Sequence, residues 1–226
     1  MRCGWMVCVV LVVVLWPLGT WAGDEEYTAR VRWVVDGDTI ILRNGQTVRF
    51  MGVDAPELSR EDQPGQYYAQ QSRGCALRLM QGEQVVVVPQ STDRFDRLVA
   101  RVRLADGTWV DKTLVTQGAA FVSPAAEHGA VADTELLSAQ RRAMDREAGF
   151  WATILALPYA ADTYIGNRRS KKFHTPKCSF GQSIHTENRR LFPTLERAFH
   201  SGYAPGRCCT PWPTRAEVQK PREMQQ

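Results

Sequence analysis

Four carboxylates fall within residues 36–57, Asp36, Asp38, Asp54 and Glu57, and Arg49 stands between the two pairs. The first pair sits in Val35-Asp36-Gly37-Asp38-Thr39 and the second in Val53-Asp54-Ala55-Pro56-Glu57. Between them Asn44-Gly45, a strong two-residue hairpin signal, separates two apolar runs. A hairpin closed there brings Asp38 alongside Asp54, with Glu57 just past the second strand. Carboxylates gathered this way repel one another unless something cationic sits among them. Arg49 together with a hard divalent ion is the economical solution. Such a set suits metal-assisted cleavage of a phosphodiester, which must deliver water to phosphorus and stabilise charge on the equatorial oxygens.

The elements that must position these groups are legible in outline. Residues 28–35 alternate as a strand, with Val31 and Trp33 expected on one face and Arg30 and Arg32 on the other. Residues 39–43 and 46–51 complete a three-stranded meander around the Asn44-Gly45 turn. A helix is expected over 66–81, its inner face drawn from Tyr68, Cys75, Leu79 and Met80. Residues 85–88 read as a strand ended by Pro89, and 98–104 as another closed by Asp106-Gly107. A short helix over 112–117 stops at Gly118, and a longer one over 134–147, capped by Thr134, stops at Gly149. Five strands with a helix after the third give the order of an OB-fold, a closed Greek-key barrel. The fold class is therefore mainly β with helices packed on the barrel.

Four segments, Val35-Asp-Gly-Asp-Thr39, Arg49 to Glu57, Thr92-Asp-Arg-Phe-Asp-Arg97 and Leu114-Val-Thr-Gln-Gly118, resemble in order and register the staphylococcal nuclease family. The resemblance runs from about Tyr27 to Trp151 and implies hydrolysis of DNA and RNA with little sequence selectivity, leaving 3′-phosphates. It implies that Asp38 and Asp54 bind Ca²⁺, helped by the backbone carbonyl of Ala55, with Asp36 and Thr39 supporting them from behind. Glu57 would orient or deprotonate the attacking water, and Arg49 and Arg97 would grip phosphate oxygens, where a planar bidentate donor suits better than lysine. The chain departs from the family in three places. Ala55 replaces a frequent threonine, which a carbonyl ligand tolerates. Phe95 stands where a tyrosine would hydrogen-bond the phosphate, and Pro124 and Ala126 stand where aromatic side chains would stack on bases.

A second constellation follows: Lys172-Phe-His174-Thr-Pro-Lys-Cys178, Asn188-Arg-Arg-Leu-Phe192 and Gly202-Tyr203-Ala204-Pro205, then Cys208-Cys209. It resembles the small metal-binding domain of the Ada DNA-repair protein. His174 and Cys178 fit that family's first ligand pair, but Gly206 stands where a cysteine is expected and the last two thiols are adjacent. Three states are open for these groups, since adjacent side chains tend to diverge from one metal: Zn²⁺ held by His174, Cys178 and one or both of Cys208 and Cys209, a disulfide from Cys178 to Cys208 or Cys209, and a vicinal disulfide or free thiols. His185 and His200 read as surface residues and Cys75 as a buried free thiol.

The whole chain has 226 residues and a formal charge of +4. Residues 23–163 carry 15 Lys and Arg against 20 Asp and Glu, a balance of −5, whereas residues 164–226 carry 12 against 4, or +8. The expected contacts to nucleic acid in this basic part are Arg168, Arg169, Lys171, Lys172, Arg189 and Arg190, which would tether substrate by counterion release. At the other end, Arg2 precedes an apolar run broken by Pro17, with Thr20-Trp21-Ala22 at a cleavage-like position. Four segments result: a signal peptide over 1–22, a nuclease-like barrel domain over 23–160, an Ada-like module over 161–213 and a disordered tail over 214–226. The product would be secreted or periplasmic and monomeric, without stable membrane association; an uncleaved N-terminal anchor is the alternative. The rival functions are a non-catalytic OB-fold nucleic-acid binder and a zinc-dependent DNA-binding or sensing module.

Overall fold

The computed structural model describes residues 25–124, 133–209 and 212–219. Strands β1 (Tyr27–Val34), β2 (Thr39–Leu42) and β3 (Thr47–Phe50) form the meander, and a two-residue strand β4 (Val53–Asp54) follows. Helix α1 (Ala69–Met80) leads to β5 (Gln84–Thr92) and β6 (Leu98–Leu104), then α2 (Val110–Thr116), β7 (Phe121–Val122), α3 (Thr134–Asp145) and α4 (Trp151–Ile154). A closed barrel runs β1-β2-β3-β6-β5, with β3 and β6 parallel and its other pairs antiparallel. This is the five-stranded barrel expected. Its interior is filled by apolar side chains such as Val31, Val34, Ile40, Leu42, Val48, Phe50, Val85, Val87, Ala100 and Val102.

The differences from expectation have local causes. Val31 is buried, but Trp33 is 52% exposed, because the β1–β2 register shifts between them and turns Trp33 outward and Val34 inward. Residue 89 does not end its strand: β5 continues to Thr92, and a register shift between Pro89 and Ser91 absorbs the missing amide hydrogen. The cap of α3 is Asp133, whose carboxylate accepts from the Glu135 and Leu136 amides, so Thr134 is already the first helical residue. Helix α1 begins at Ala69 rather than residue 66, after Tyr68 takes a left-handed turn at φ 71°.

The C-terminal part contributes β8 (Tyr164–Asn167), β9 (Lys172–His174), α5 (Ser179–Gln182), β10 (Arg189–Phe192), α6 (Leu195–His200) and β11 (Ala204–Pro205). Its four strands form one sheet ordered β10-β8-β9-β11. Residues 215–219, expected to be disordered, form a short helix α7 (Arg215–Gln219). Thr214 and Glu217 make a capping box: Glu217 Oε2 accepts from the Thr214 amide at 2.6 Å, and Thr214 Oγ1 from the Glu217 amide at 3.3 Å. The signal-peptide assignment over 1–22 lies outside the described residues, as does Ala126. Among the described residues, no helix is long and apolar enough to cross a membrane.

A second core joins the two parts. Phe121, Met144, Phe150, Trp151 and Ile154 pack with Tyr164, Phe173, Phe192, Phe199, Tyr203 and Trp212 in one buried aromatic cluster. Gln140, fully buried on α3, links them further: its Oε1 accepts from the Val122 amide at 2.6 Å and its Nε2 donates to the Phe199 carbonyl at 2.8 Å. The apolar core thus runs continuously across residue 160.

Candidate active site and a Cys/His cluster

The β2–β3 hairpin and the β4–β7 pair converge on the acidic residues. Asp38 enters β2 and is 5% exposed. Its Oδ2 accepts the Ala55 amide at 2.7 Å, its Oδ1 accepts the Thr39 hydroxyl at 2.9 Å, and the Asp38 amide donates to Asp36 Oδ1 at 3.0 Å. This close approach requires Gly37, where a Cβ would stand 2.6 Å from Ala55 Cβ and 2.9 Å from Ser72 Cβ. Asp54 is held by its pairing with Phe121 across β4–β7.

Arg49 on β3 lies between the two carboxylates. Its Nη2 is 2.7 Å from Asp54 Oδ1 and 3.2 Å from Asp38 Oδ2, and its Nη1 donates to the Phe50 carbonyl at 3.0 Å. Burial pushes the Asp38 carboxyl well above the usual carboxylate range; Arg49 opposes that shift, while Asp36 and Asp54 add to it. Burial, Asp54 and Asp36 likewise raise Glu57, against Arg60 and Arg207. Burial alone would lower Arg49, but the surrounding carboxylates raise it on balance. One guanidinium therefore answers for more negative charge than it can neutralise. That surplus of oxygen donors fits a hard divalent cation at Asp38, Asp54 and the Ala55 backbone.

Glu57 lies in the loop after β4. Its amide donates to Gln66 Oε1 at 2.9 Å and its carbonyl accepts from the Gln66 amide at 2.9 Å, which closes the loop beneath it. Its carboxylate pairs with Arg60 at 3.3 Å. Asp54, Ala55, Glu57, Arg60 and Gln66 line one side of a cavity of about 340 Å³. Pro205, Arg207 and Trp212 of the C-terminal part also line it, with Phe121 of β7.

Arg97 immediately precedes β6 and does not line this cavity. Asp93 holds it, 2.8 Å from Nε and 2.7 Å from Nη2, and it lies 5.4 Å from the Phe95 ring centroid. Arg49 pairs in register with Val99 on the parallel neighbour β6. Arg97, two residues before Val99, shares that outward face one pleat repeat away, roughly 7 Å along the strand. Phe95 is 60% exposed.

The basic residues of the C-terminal part separate by role. Lys172 is turned toward the barrel, where its Nζ donates to Ser123 Oγ at 2.9 Å; burial lowers its pKa while Asp54 holds it up. Arg189 donates to the Gln182 and Ile184 carbonyls, and Lys171 and Arg190 lie over the Tyr203 ring. Arg168 and Arg169 are exposed in the β8–β9 turn. They do not form one basic patch around the cavity.

His174, Cys178, Cys208 and Cys209 converge, their ligand atoms all within 4.8 Å of one another. His174 Nδ1 is 3.6 Å from Cys178 Sγ and 3.4 Å from both Cys208 and Cys209 Sγ. Cys208 Sγ is 3.5 Å from Cys178 Sγ and 3.8 Å from Cys209 Sγ. The adjacent thiols were expected to diverge, but here they point into one space. Zinc bonds of about 2.3 Å to sulfur and 2.0–2.1 Å to nitrogen put tetrahedral ligands roughly 3.6–3.8 Å apart, which these spacings approach. All three cysteines are free, as is buried Cys75. Burial lowers the His174 pKa, which favours the neutral ring a metal requires. His185 is exposed and pairs with Glu187, outside the cluster.

Sequence reasoning missed Arg207, Trp212, Gln66 and Gln140. Arg207 had a weak local signal, a cation beside Cys208, but nothing in the sequence linked it to Glu57. Comparison with known proteins bears on this arrangement. The sequence model of the family described as "Staphylococcal nuclease homologue" matches residues 47–153, which include Arg49, Asp54, Glu57 and Arg97 but begin after Asp38. An "Uncharacterized endonuclease" of Escherichia coli is 28% identical over 153 residues, 66% of this chain and 91% of that protein. The "Thermonuclease" of Staphylococcus hyicus is 30% identical over 136 residues, 57% of this chain and 78% of that protein. A "Probable endonuclease LCL3" of Komagataella phaffii is 30% identical over 110 residues, 46% of this chain and 48% of that protein.

Proposed function

Since the chain belongs to the staphylococcal nuclease family and is on that account a nuclease, we propose that it is an exported, Ca²⁺-dependent phosphodiesterase. Its substrates would be DNA and RNA, cut with little sequence selectivity to leave 3′-phosphates. The observation that carries the reading is the convergence of Asp38 and Asp54 on one part-buried guanidinium, with Glu57 on the wall of the adjoining cavity.

Asp38, Asp54 and the Ala55 carbonyl are the groups that would hold Ca²⁺. When bound, the ion polarises a phosphate oxygen and offsets the charge that develops there. Glu57, kept basic by burial and neighbouring carboxylates, accepts a proton from the attacking water. Arg49 would donate to the equatorial phosphate oxygens, and Arg97, held by Asp93, would join it on turning from that carboxylate to the substrate. The new bond joins water oxygen to phosphorus, the bond to the 5′ oxygen breaks, and that oxygen takes a proton from solvent as it leaves, while Glu57 returns its own to solvent. Asp36 and Thr39 keep Asp38 oriented through its amide and Oδ1.

The Cys/His cluster supports Zn²⁺ as a structural ion at His174, Cys178, Cys208 and Cys209, with no ligand position left for catalysis. Arg168 and Arg169, exposed in the β8–β9 turn, are the best placed of the expected tethering residues.

Cleavage of DNA and RNA with calcium or EDTA, repeated with Glu57→Gln, tests the assignment. Activity that needs calcium and falls at least a hundredfold in the variant is expected. Binding of nucleic acid without cleavage under any metal would instead establish the non-catalytic alternative. Elemental analysis should find about one zinc per chain, lost on His174→Ala.

A further inference from the structure

The cavity beside Glu57 is bounded by two parts of the chain far apart in sequence. On the barrel side stand Asp54, Ala55, Glu57, Arg60 and Gln66; on the other stand Pro205, Arg207 and Trp212. At about 340 Å³ it lies at the small end of the roughly 300–1,000 Å³ range of ligand pockets, with room for a unit of nucleotide size. We infer that Arg207 is a substrate-binding residue of the nuclease site, contributed by the C-terminal part, and that it contacts a backbone phosphate of the strand being cut. This deepens the nuclease reading and rests on it.

The turn carrying Arg207 is built to hold that position. Strand β11 pairs in parallel with β9 through Ala204 and Pro205, and the Gly206 amide donates to the Phe173 carbonyl at 2.8 Å. Gly206 lies so close to the His174 ring that a Cβ there would stand 2.5 Å from Cε1. The Cys209 amide then donates back to the Gly206 carbonyl at 3.2 Å. Trp212, further along, stacks on Phe121 at 5.2 Å and donates from Nε1 to the Tyr67 carbonyl at 2.9 Å. Phe121 pairs with Asp54, so the strand bearing the acidic group is fastened through Phe121 to Trp212 and to Phe199 of the C-terminal part. The Arg207 side chain is exposed at the cavity, and its charge reaches Glu57 and Lys172. Among the described residues, no hydrogen bond or ion pair engages its guanidinium. A phosphodiester oxygen is the group whose charge and shape match that fork.

The test uses full-length protein and a single-stranded oligodeoxynucleotide with calcium. Arg207→Ala should raise KM about tenfold and leave kcat within about twofold, because a hydrogen bond to a charged group is lost in ground and transition states alike. The slope of log(kcat/KM) against log salt should become shallower by about 0.7, one phosphate contact on a single strand. Arg207→Lys should restore most of the salt slope but only part of KM, and Arg43→Ala, on the exposed hairpin turn, should match the unsubstituted protein. In a Glu57→Gln background, fluorescence anisotropy should show the same tenfold loss of DNA binding for Arg207→Ala. Unchanged KM and salt slope in Arg207→Ala would overturn the inference, and so would a fall confined to kcat. An inert unsubstituted protein would instead remove the nuclease reading, while the anisotropy comparison still decides whether Arg207 binds DNA.

Discussion

Asp38 is a carboxylate that the fold buries and surrounds with others, and it needs a compensating charge. Its raised pKa sets a sign. In the range between the ordinary carboxylate value and the raised one, the folded state binds more protons than the unfolded state. Stability therefore falls as pH rises through that range, and the penalty persists above it. Asp38→Asn removes the charge and keeps an acceptor for the Ala55 amide. In metal-free protein the variant should melt higher than the parent at neutral pH, by roughly 2–4 °C per kcal/mol released, with the gap closing in acid. Thermal denaturation from pH 4 to 8 in chelator measures this, and an equal gap at every pH would refute the account. The same substitution should abolish calcium-dependent cleavage. Phe95 offers a complementary test: it is exposed and flanked by Arg94 and Arg97, so Phe95→Tyr adds a hydroxyl without repacking. It should lower KM a fewfold, about what one added hydrogen bond to a charged group provides; steady-state kinetics read this directly.

The loop from β1 to β2 carries the first acidic pair only because Gly37 lets it lie against Ala55 and α1. Gly37→Ala forces that loop away from Ser72, whose hydroxyl is already committed to the Ala119 carbonyl at 2.7 Å. A loss of about 1–3 kcal/mol is expected from overpacking alone, with a larger drop in activity because the Asp38–Ala55 contact must open. Urea denaturation alongside activity separates the two. The short strand β7 works the same way at the other edge, fixing Asp54 through Phe121 and passing Val122 to Gln140. Gln140→Leu leaves the Val122 amide and the Phe199 carbonyl unpaired in the core. It should cost on the order of 2–4 kcal/mol, read as a lower denaturation midpoint.

Taken entire, the molecule is a barrel whose outer helices share an aromatic core with the C-terminal sheet. Phe121, Phe150, Trp151 and Ile154 are buried against residues beyond 160. Truncation after Asp162 would expose them, at about 1.5–3 kcal/mol for each large side chain. The truncated chain is therefore expected to aggregate or melt at least 10 °C lower. Solubility and melting temperature measure this; a stable, soluble truncation would show the two parts to be independent. Deletion is a poor test of substrate tethering for the same reason, and single substitutions such as Arg207→Ala are the informative ones.

The barrel and its acidic stretch were legible because both rest on local signals. Alternating apolar residues define the strands, and Asn44-Gly45 sets the hairpin register that puts Thr39, beside Asp38, opposite Arg49. The bulges that expose Trp33 and carry β5 past Pro89 were not legible, because a one-residue shift depends on the partner strand. The partners of Lys172 and Arg207 were hidden for a stronger reason. Their charges suggested only a basic tail, whereas their place beside Asp54 and Glu57 follows from aromatic packing among Phe121, Phe199 and Trp212. The convergence of Cys208 and Cys209 on His174 likewise depends on the Gly206 turn. Local chemistry, then, is written in the order of the residues, since periodicity and turn preference act over a few positions. Which distant segments close a cavity is settled by core packing, which no short stretch of chain contains.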